Sequence, residues 1–298
     1  METSNQTRVI LWSVPRSTST AFEMCMSNVK DSVIWHEPFL CAMWFGTDRR
    51  FPPPGSDGCA GDKGLGFESQ ARSIQLDVTT GYDAYQSSYS WAKSELEKDY
   101  SNKRLVFCKG ITYAIATRFD AIPDGYRHTF LIRHPYKVLP SWKKLFSNGL
   151  NVPLEDFRMD ELPVSSMPPG HAFKESYDLL QHVKQHYEAN PIIIDADDLL
   201  SHPEEMMKHY CEAVNIPYSK DLLRWESGEE VVSKWMIPTF FIQGNRLGGW
   251  YDSAFASSGW QKTRPTPSRS ELSADVLSCA DAIMPYYDEM YKQRLIPQ

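Results

Sequence analysis

The sequence predicts a single α/β domain with a central parallel β-sheet flanked by helices. Short runs rich in Ile, Val, Leu and Phe alternate with stretches of helical spacing, the signature of a parallel sheet buried on both faces. The chain has 298 residues, 42% of them hydrophobic, enough for one large core or one core with a substantial insertion. No internal repeat or low-complexity tail divides it.

The elements follow in order. Arg8–Trp12 reads as the first strand. Ala21–Val29 reads as a helix with Phe22, Cys25, Met26 and Val29 on one face. Ser32–His36 is the second strand. Residues 46–66 are rich in Gly, Pro and Asp and read as an irregular loop. Tyr82–Lys98 is expected to be helical, Leu105–Lys109 is the third strand, and Thr112–Phe119 a short helix. His128–Ile132 is the fourth strand and Lys137–Phe146 the helix after it; residues 148–170, interrupted by prolines, are a second irregular loop. Ala172–Ala189 reads as a helix, Ile192–Asp195 as the fifth strand, and His202–Val214 as a helix with Pro203 in its first turn. A last helix spans about 270–294, disturbed at Pro285. Ligands of such sheets bind beyond the carboxyl ends of the strands. Residues 13–20, 36–38, 109–110 and 133–141 are therefore expected to converge, with 195–198 at the edge.

Bulk properties exclude several classes. The net charge of −7 and the pI of about 5.6 argue against nonspecific nucleic-acid binding and against a highly sulfated polymer as substrate. A local basic pocket is compatible with them. The six cysteines (Cys25, Cys41, Cys59, Cys108, Cys211 and Cys279) form no C-x-x-C pair, which fits buried thiols in a reducing compartment. The first residues, METSNQTRVILW, contain no signal-type segment, and no run approaches the ~20 apolar residues of a membrane span. The expectation is a cytoplasmic protein with no membrane and no nucleic-acid partner.

Two stretches could carry chemistry. In WSVPRSTSTAF, residues 12–22, a strand opens into Arg16, Ser17, Thr18, Ser19 and Thr20 at a helix start. A helix N-terminus offers free N–H groups and partial positive charge, and the arginine fork suits phosphate or sulfate. A capped helix beside a surface arginine would explain part of this, but four consecutive hydroxyl residues exceed what a cap needs. In FLIRHPYKVLPSW, residues 130–142, a strand ends at Arg133 and the next helix carries Ser141. A turn at His134-Pro135 lets both face one ligand; a strand-exit salt bridge is the plainer reading.

Together these motifs resemble the sulfotransferases that use 3′-phosphoadenosine 5′-phosphosulfate (PAPS). The likeness is to a branch that also shows HEPF (His36–Phe39), CKG (Cys108–Gly110) and IDADDLLSHPEE (Ile194–Glu205), and it covers about residues 8–226. It implies a P-loop-like sulfotransferase fold over 1–298. It further implies that residues 16–20 hold the 5′-phosphosulfate, that Arg133 and Ser141 hold the 3′-phosphate, and that no metal is needed. The chain departs from the broader family at Arg16, where Lys is common, and at Thr18, where Gly is common. It also shows no clear Arg-Lys-Gly segment; GNRLGGW (Gly244–Trp250) and ASSGW (Ala256–Trp260) are the nearest stretches.

Sulfuryl transfer needs a base for the acceptor proton and donors for the departing nucleotide. The resemblance favours Glu37 as base, with His36 as the alternative. Adjacent strand residues point to opposite faces, so the two are not expected to share the task. Glu37 could instead pair with Arg16 or Lys109. Lys109 could stabilise the leaving oxygen or neutralise Glu37. His182 and His186 lack the adjacent Glu of a zinc-protease pair and are expected to be exposed, and Asp195, Asp197 and Asp198 to serve a helix start. The aromatic residues 234–260 could form a lid over the acceptor site or pack against the last helix. The expected partner is a small-molecule hydroxyl or amine, and a homodimer is compatible with this set. Two rivals are a nucleotide kinase or NTPase, opposed by the absence of G-x-x-x-x-G-K-[ST], and a non-catalytic nucleotide-binding module.

Overall fold

A computed structural model describes residues 6–49, 70, 73–76, 81–162 and 170–297. Six strands form one all-parallel sheet: β1 (Thr7–Ser13), β2 (Ser32–His36), β3 (Leu105–Ile111), β4 (Arg127–Ile132), β5 (Ile192–Asp195) and β6 (Trp235–Met236). Their order is β5-β4-β1-β3-β2-β6. The five expected strands are present. The sixth is only two residues long and pairs Trp235 with Ile34, too short to show any period in the sequence.

Each inner strand feeds two cores, as its period of two requires. Ile10, Trp12, Val106, Cys108 and Phe130 point into a core closed by the helices Phe173–His186 and Ala274–Tyr291. Val9, Leu11, Phe107, Leu131 and Ile194 point into the opposite core, closed by the helices Ser19–Met26 and Pro203–Ala213. Each large apolar side chain removed from water contributes about 1.5–3 kcal/mol. Gly110 belongs to this packing: a Cβ there would lie 2.7 Å from the Trp12 ring.

Several helix limits differ from the sequence expectation. The first helix ends at Met26, so Val29 lies in the turn beyond it. Only Tyr89–Glu97 of the 82–98 stretch is α-helical, after a 3-10 turn at Ala84–Gln86. The helix after β4 runs from Pro135 to Leu150, through Pro140. Ala274–Tyr291 likewise continues through Pro285, with Ile283 and Tyr287 buried on either side. Tertiary packing outweighs the single lost backbone hydrogen bond. Residues 50–66 of the first expected loop and 163–169 of the second lie outside the described residues; the second includes a 3-10 turn at Met159–Glu161. The five described cysteines are buried free thiols, and Cys59 lies outside the described residues. No helix among the described residues is long and apolar enough to cross a membrane.

β1 leads on to β2 on one side of the sheet, whereas β4 leads on to β5 on the other. The crevice between the ends of β1 and β4 is therefore the switch point where open parallel sheets bind ligands.

Candidate active site

At that crevice β1 ends in a strained turn. Arg16 and Thr18 both take left-handed backbone conformations, φ 65° and 69°, before the helix starts at Ser19. Ser17 is buried and its hydroxyl donates to the Val14 carbonyl at 2.7 Å, so that hydroxyl is used within the turn. Arg16, Thr18, Ser19 and Thr20 line a cleft of about 550 Å³, together with Arg133 and Ser141.

The cations of the two motifs meet there. Arg16 Nε donates to Ser141 Oγ at 3.1 Å and Arg16 Nη1 to the Trp250 carbonyl at 2.7 Å. Arg133 Nη1 reaches the Arg16 carbonyl at 3.4 Å. Burial, and then the nearby Arg133 charge, lower the Arg16 pKa from its ordinary value. Two guanidinium groups lining one cleft favour an anion between them. Arg133 Nε is buried with no hydrogen bond among the described residues; Asp197 Oδ1 lies 3.5 Å away. Asp197 also takes Lys137 Nζ at 2.6 Å and the Thr263 hydroxyl at 2.7 Å, tying the strand end to the opposite cleft wall.

That wall contains Trp250, Tyr251, Trp260, Lys262 and Arg264. The sequence reading stopped at Trp260; the alternation Lys262, Arg264 directly after it was the available signal. Within residues 234–260, Phe240, Phe241 and Ile242 are buried in the core, while Trp250 and Tyr251 border the cleft.

The ends of β2 and β3 build a second cluster beneath the loop. Lys109 Nζ donates to Glu37 Oε1 at 2.6 Å and to Thr20 Oγ1 at 3.1 Å, and lies 3.8 Å from Glu23 Oε2. His36 Nδ1 lies 2.7 Å from Glu23 Oε2, and His36 Nε2 lies 2.9 Å from the Tyr251 hydroxyl. Glu37 is the surprise. It caps the helix Pro38–Trp44 in a left-handed conformation, φ 50°, which swings its carboxylate to 3.8 Å from His36 Nε2. The alternation rule separates adjacent side chains only while the strand continues, and here it has ended. Glu37 pairs with Lys109, and no contact joins it to Arg16 among the described residues.

This cluster is almost dry: Glu23 and His36 are 0% exposed, Lys109 1% and Glu37 4%. Burial, and then the Lys109 charge, push the His36 pKa well below its ordinary value. Burial pushes Glu23 well above the usual carboxylate range, against the pull of Lys109. Glu23 Oε1 has no hydrogen-bond partner among the described residues. Glu23 was not found from sequence, and Tyr251 only as part of the aromatic stretch 234–260. A lone Glu on an amphipathic helix reads as solvent-facing, yet Phe22 to Met26 are all buried.

The remaining signals resolve simply. Asp195 caps the helix Ala196–Ser201, accepting from the Asp197 and Asp198 amides, and Asp198 pairs with Arg294. His182 is half-buried rather than exposed, because its ring stacks on Phe119 at 4.2 Å; His186 is exposed.

Residues 182–294 match the family described as "Sulfotransferase domain". The sulfotransferase resemblance is borne out. The sulfotransferase match takes in Asp197, Tyr251 and the 260–264 wall, whereas the loop 13–20, Arg133 and Ser141 lie before it. Two curated relatives of Arabidopsis thaliana are similar over 266 residues. These are branched-chain-amino-acid aminotransferase-like protein 2, at 24% identity, and protein 1, at 25%. The alignments cover 88% of this chain but only 37% and 38% of those proteins, so the chain spans under two fifths of their length. Among solved structures, the sulfotransferase domain from the curacin biosynthetic pathway aligns with TM-score 0.48 and 16% identity, over 98% of this chain and 99% of that one. A sulfotransferase from Alicyclobacillus acidocaldarius aligns with TM-score 0.40 and 14% identity, over 84% and 98%.

Proposed function

We propose that the chain transfers a sulfuryl group from PAPS to a hydroxyl or amine of a small-molecule acceptor. The observation that carries this reading is the meeting of Arg16, Arg133 and Ser141 at the N-terminus of the helix Ser19–Met26, in the switch-point crevice. Arg16, the amides of residues 17–20 and the hydroxyls of Thr18, Ser19 and Thr20 take the 5′-phosphosulfate. Arg133, which lines the cleft beside Ser141, and Ser141 itself take the 3′-phosphate. Lys262 and Arg264 add charge from the facing wall. Lys109, held by Glu37 and reaching Thr20, neutralises charge as the nucleotide departs. The acceptor proton goes to the cluster where His36 and Glu37 meet.

Thermal denaturation with nucleotides tests the reading. At a concentration 100-fold above its dissociation constant, adenosine 3′,5′-bisphosphate stabilises the folded state by about 2.7 kcal/mol. That is a rise of several degrees in Tm, well above any rise with ATP. Arg133→Ala should remove most of it. Equal shifts with ATP point to a kinase or NTPase. Binding without transfer from labelled PAPS, across a broad acceptor panel, points to a non-catalytic module.

A further inference from the structure

We infer that Tyr251, His36 and Glu23 form a proton relay that carries the acceptor's proton from the cleft into the buried cluster. The inference rests on the sulfotransferase reading and adds to it the group that touches the acceptor. Tyr251 and Thr20 border the cleft, whereas His36, Glu37, Lys109 and Glu23 lie behind them. A proton leaving the cleft for His36 therefore passes the phenol. The chain is continuous: the Tyr251 hydroxyl stands 2.9 Å from His36 Nε2, and His36 Nδ1 stands 2.7 Å from Glu23 Oε2.

The step balances. The acceptor oxygen forms its bond to sulfur and gives its proton to the Tyr251 oxygen. Tyr251 passes its own proton to His36 Nε2, and His36 passes the Nδ1 proton to Glu23. The bond from sulfur to the nucleotide phosphate oxygen breaks, and its electron pair leaves with the nucleotide. Glu23 starts ionised and ends as the acid, and after product release the proton returns by the same path. Tyr251 itself is never a free phenolate, in keeping with a pKa pushed well above ordinary by burial.

The groups facing Glu23 are His36 from β2, Lys109 and Cys108 from β3, Glu37 at the start of the helix Pro38–Trp44, and Tyr251. Lys109 and the hydrogen bond from His36 Nδ1 favour its charge at short range, against burial. Turnover should therefore fall as acid protonates Glu23, and at a higher pH than for an ordinary carboxylate, because burial raises its pKa.

Tyr251→Phe removes one oxygen and keeps the ring. It should lower kcat about 100-fold or more while leaving adenosine 3′,5′-bisphosphate affinity unchanged. Glu23→Gln should lower kcat and abolish the acid limb of the pH profile. Nitrogen-15 NMR of the whole, histidine-labelled protein should show His36 neutral, protonated at Nδ1, with a hydrogen-bonded Nε2 that becomes free in Tyr251→Phe. Tyr251→Phe turnover within threefold of wild type, or a His36 protonated at Nε2 in the resting protein, overturns the relay. Failure of the wild-type protein to bind the bisphosphate overturns the sulfotransferase reading instead, and the NMR measurement still decides the hydrogen-bonded chain.

Discussion

Thr18 takes a backbone conformation that suits glycine better than threonine. At φ 69° it occupies the left-handed region, which costs a residue with a Cβ about 1–2 kcal/mol. Glycine recovers that strain but loses roughly 0.5–1 kcal/mol to the freer unfolded chain. Thr18→Gly should therefore be neutral or stabilising by up to about 1.5 kcal/mol, a Tm rise of roughly 3–6 °C at most. A fall in Tm would show that the Thr18 side chain holds the turn more than it strains it. Residues of this loop were legible because their chemistry is local: a fork, hydroxyls and a helix start lie within seven positions. The pairing of Tyr251 was not, since its partner His36 is 215 positions away and nothing in either neighbourhood announces the other.

Among the elements, β5 and the short helix after it show how a strand end is fixed. Asp195 closes the strand, accepts the Asp197 amide at 2.8 Å, and accepts the Tyr287 hydroxyl from the last helix at 3.0 Å. Asp195→Ala removes the cap, about 1 kcal/mol, and leaves a buried hydroxyl without its acceptor, a further 1–3 kcal/mol or so. Asp195→Asn keeps an acceptor oxygen, and burial already raises the Asp195 pKa to about 6, so losing the charge costs little. Urea denaturation should rank the variants wild type, Asn, Ala; an alanine variant as stable as wild type would remove the cap from this account. The five longer strands were legible from unbroken apolar runs, and the helices from their period. β6 was hidden because two residues show no period, and the ends of the helices Pro135–Leu150 and Ala274–Tyr291, unlike their passage through Pro140 and Pro285, were misplaced because packing and capping decide them.

On the scale of the whole molecule, the buried histidines act to loosen the fold in acid, against Asp195 and Glu23, whose raised pKa values act in the opposite direction. His128 is buried, accepts the Trp12 indole N–H at 3.0 Å, and is held by burial to a pKa of about 4. Between pH 6.5 and 4 the unfolded chain takes a proton that the native state refuses. The stability present above pH 6.5 is then lost at about 1.4 kcal/mol per pH unit. His36, depressed in the same way, adds to the slope. His128→Gln keeps an acceptor for Trp12 and should remove one proton's worth of that slope, measured by denaturation across the window; an unchanged slope would show that His128 titrates normally. The parallel sheet itself also carries a metric. Arg133 leaves β4 and His36 closes β2, three inter-strand steps apart across β1 and β3. With strands about 4.8 Å apart, those steps set a span of roughly 14 Å that loop substitutions do not change. On the proposed reading the sheet acts as a ruler, setting the distance between the end where Arg133 grips the donor and the end where His36 waits for the proton.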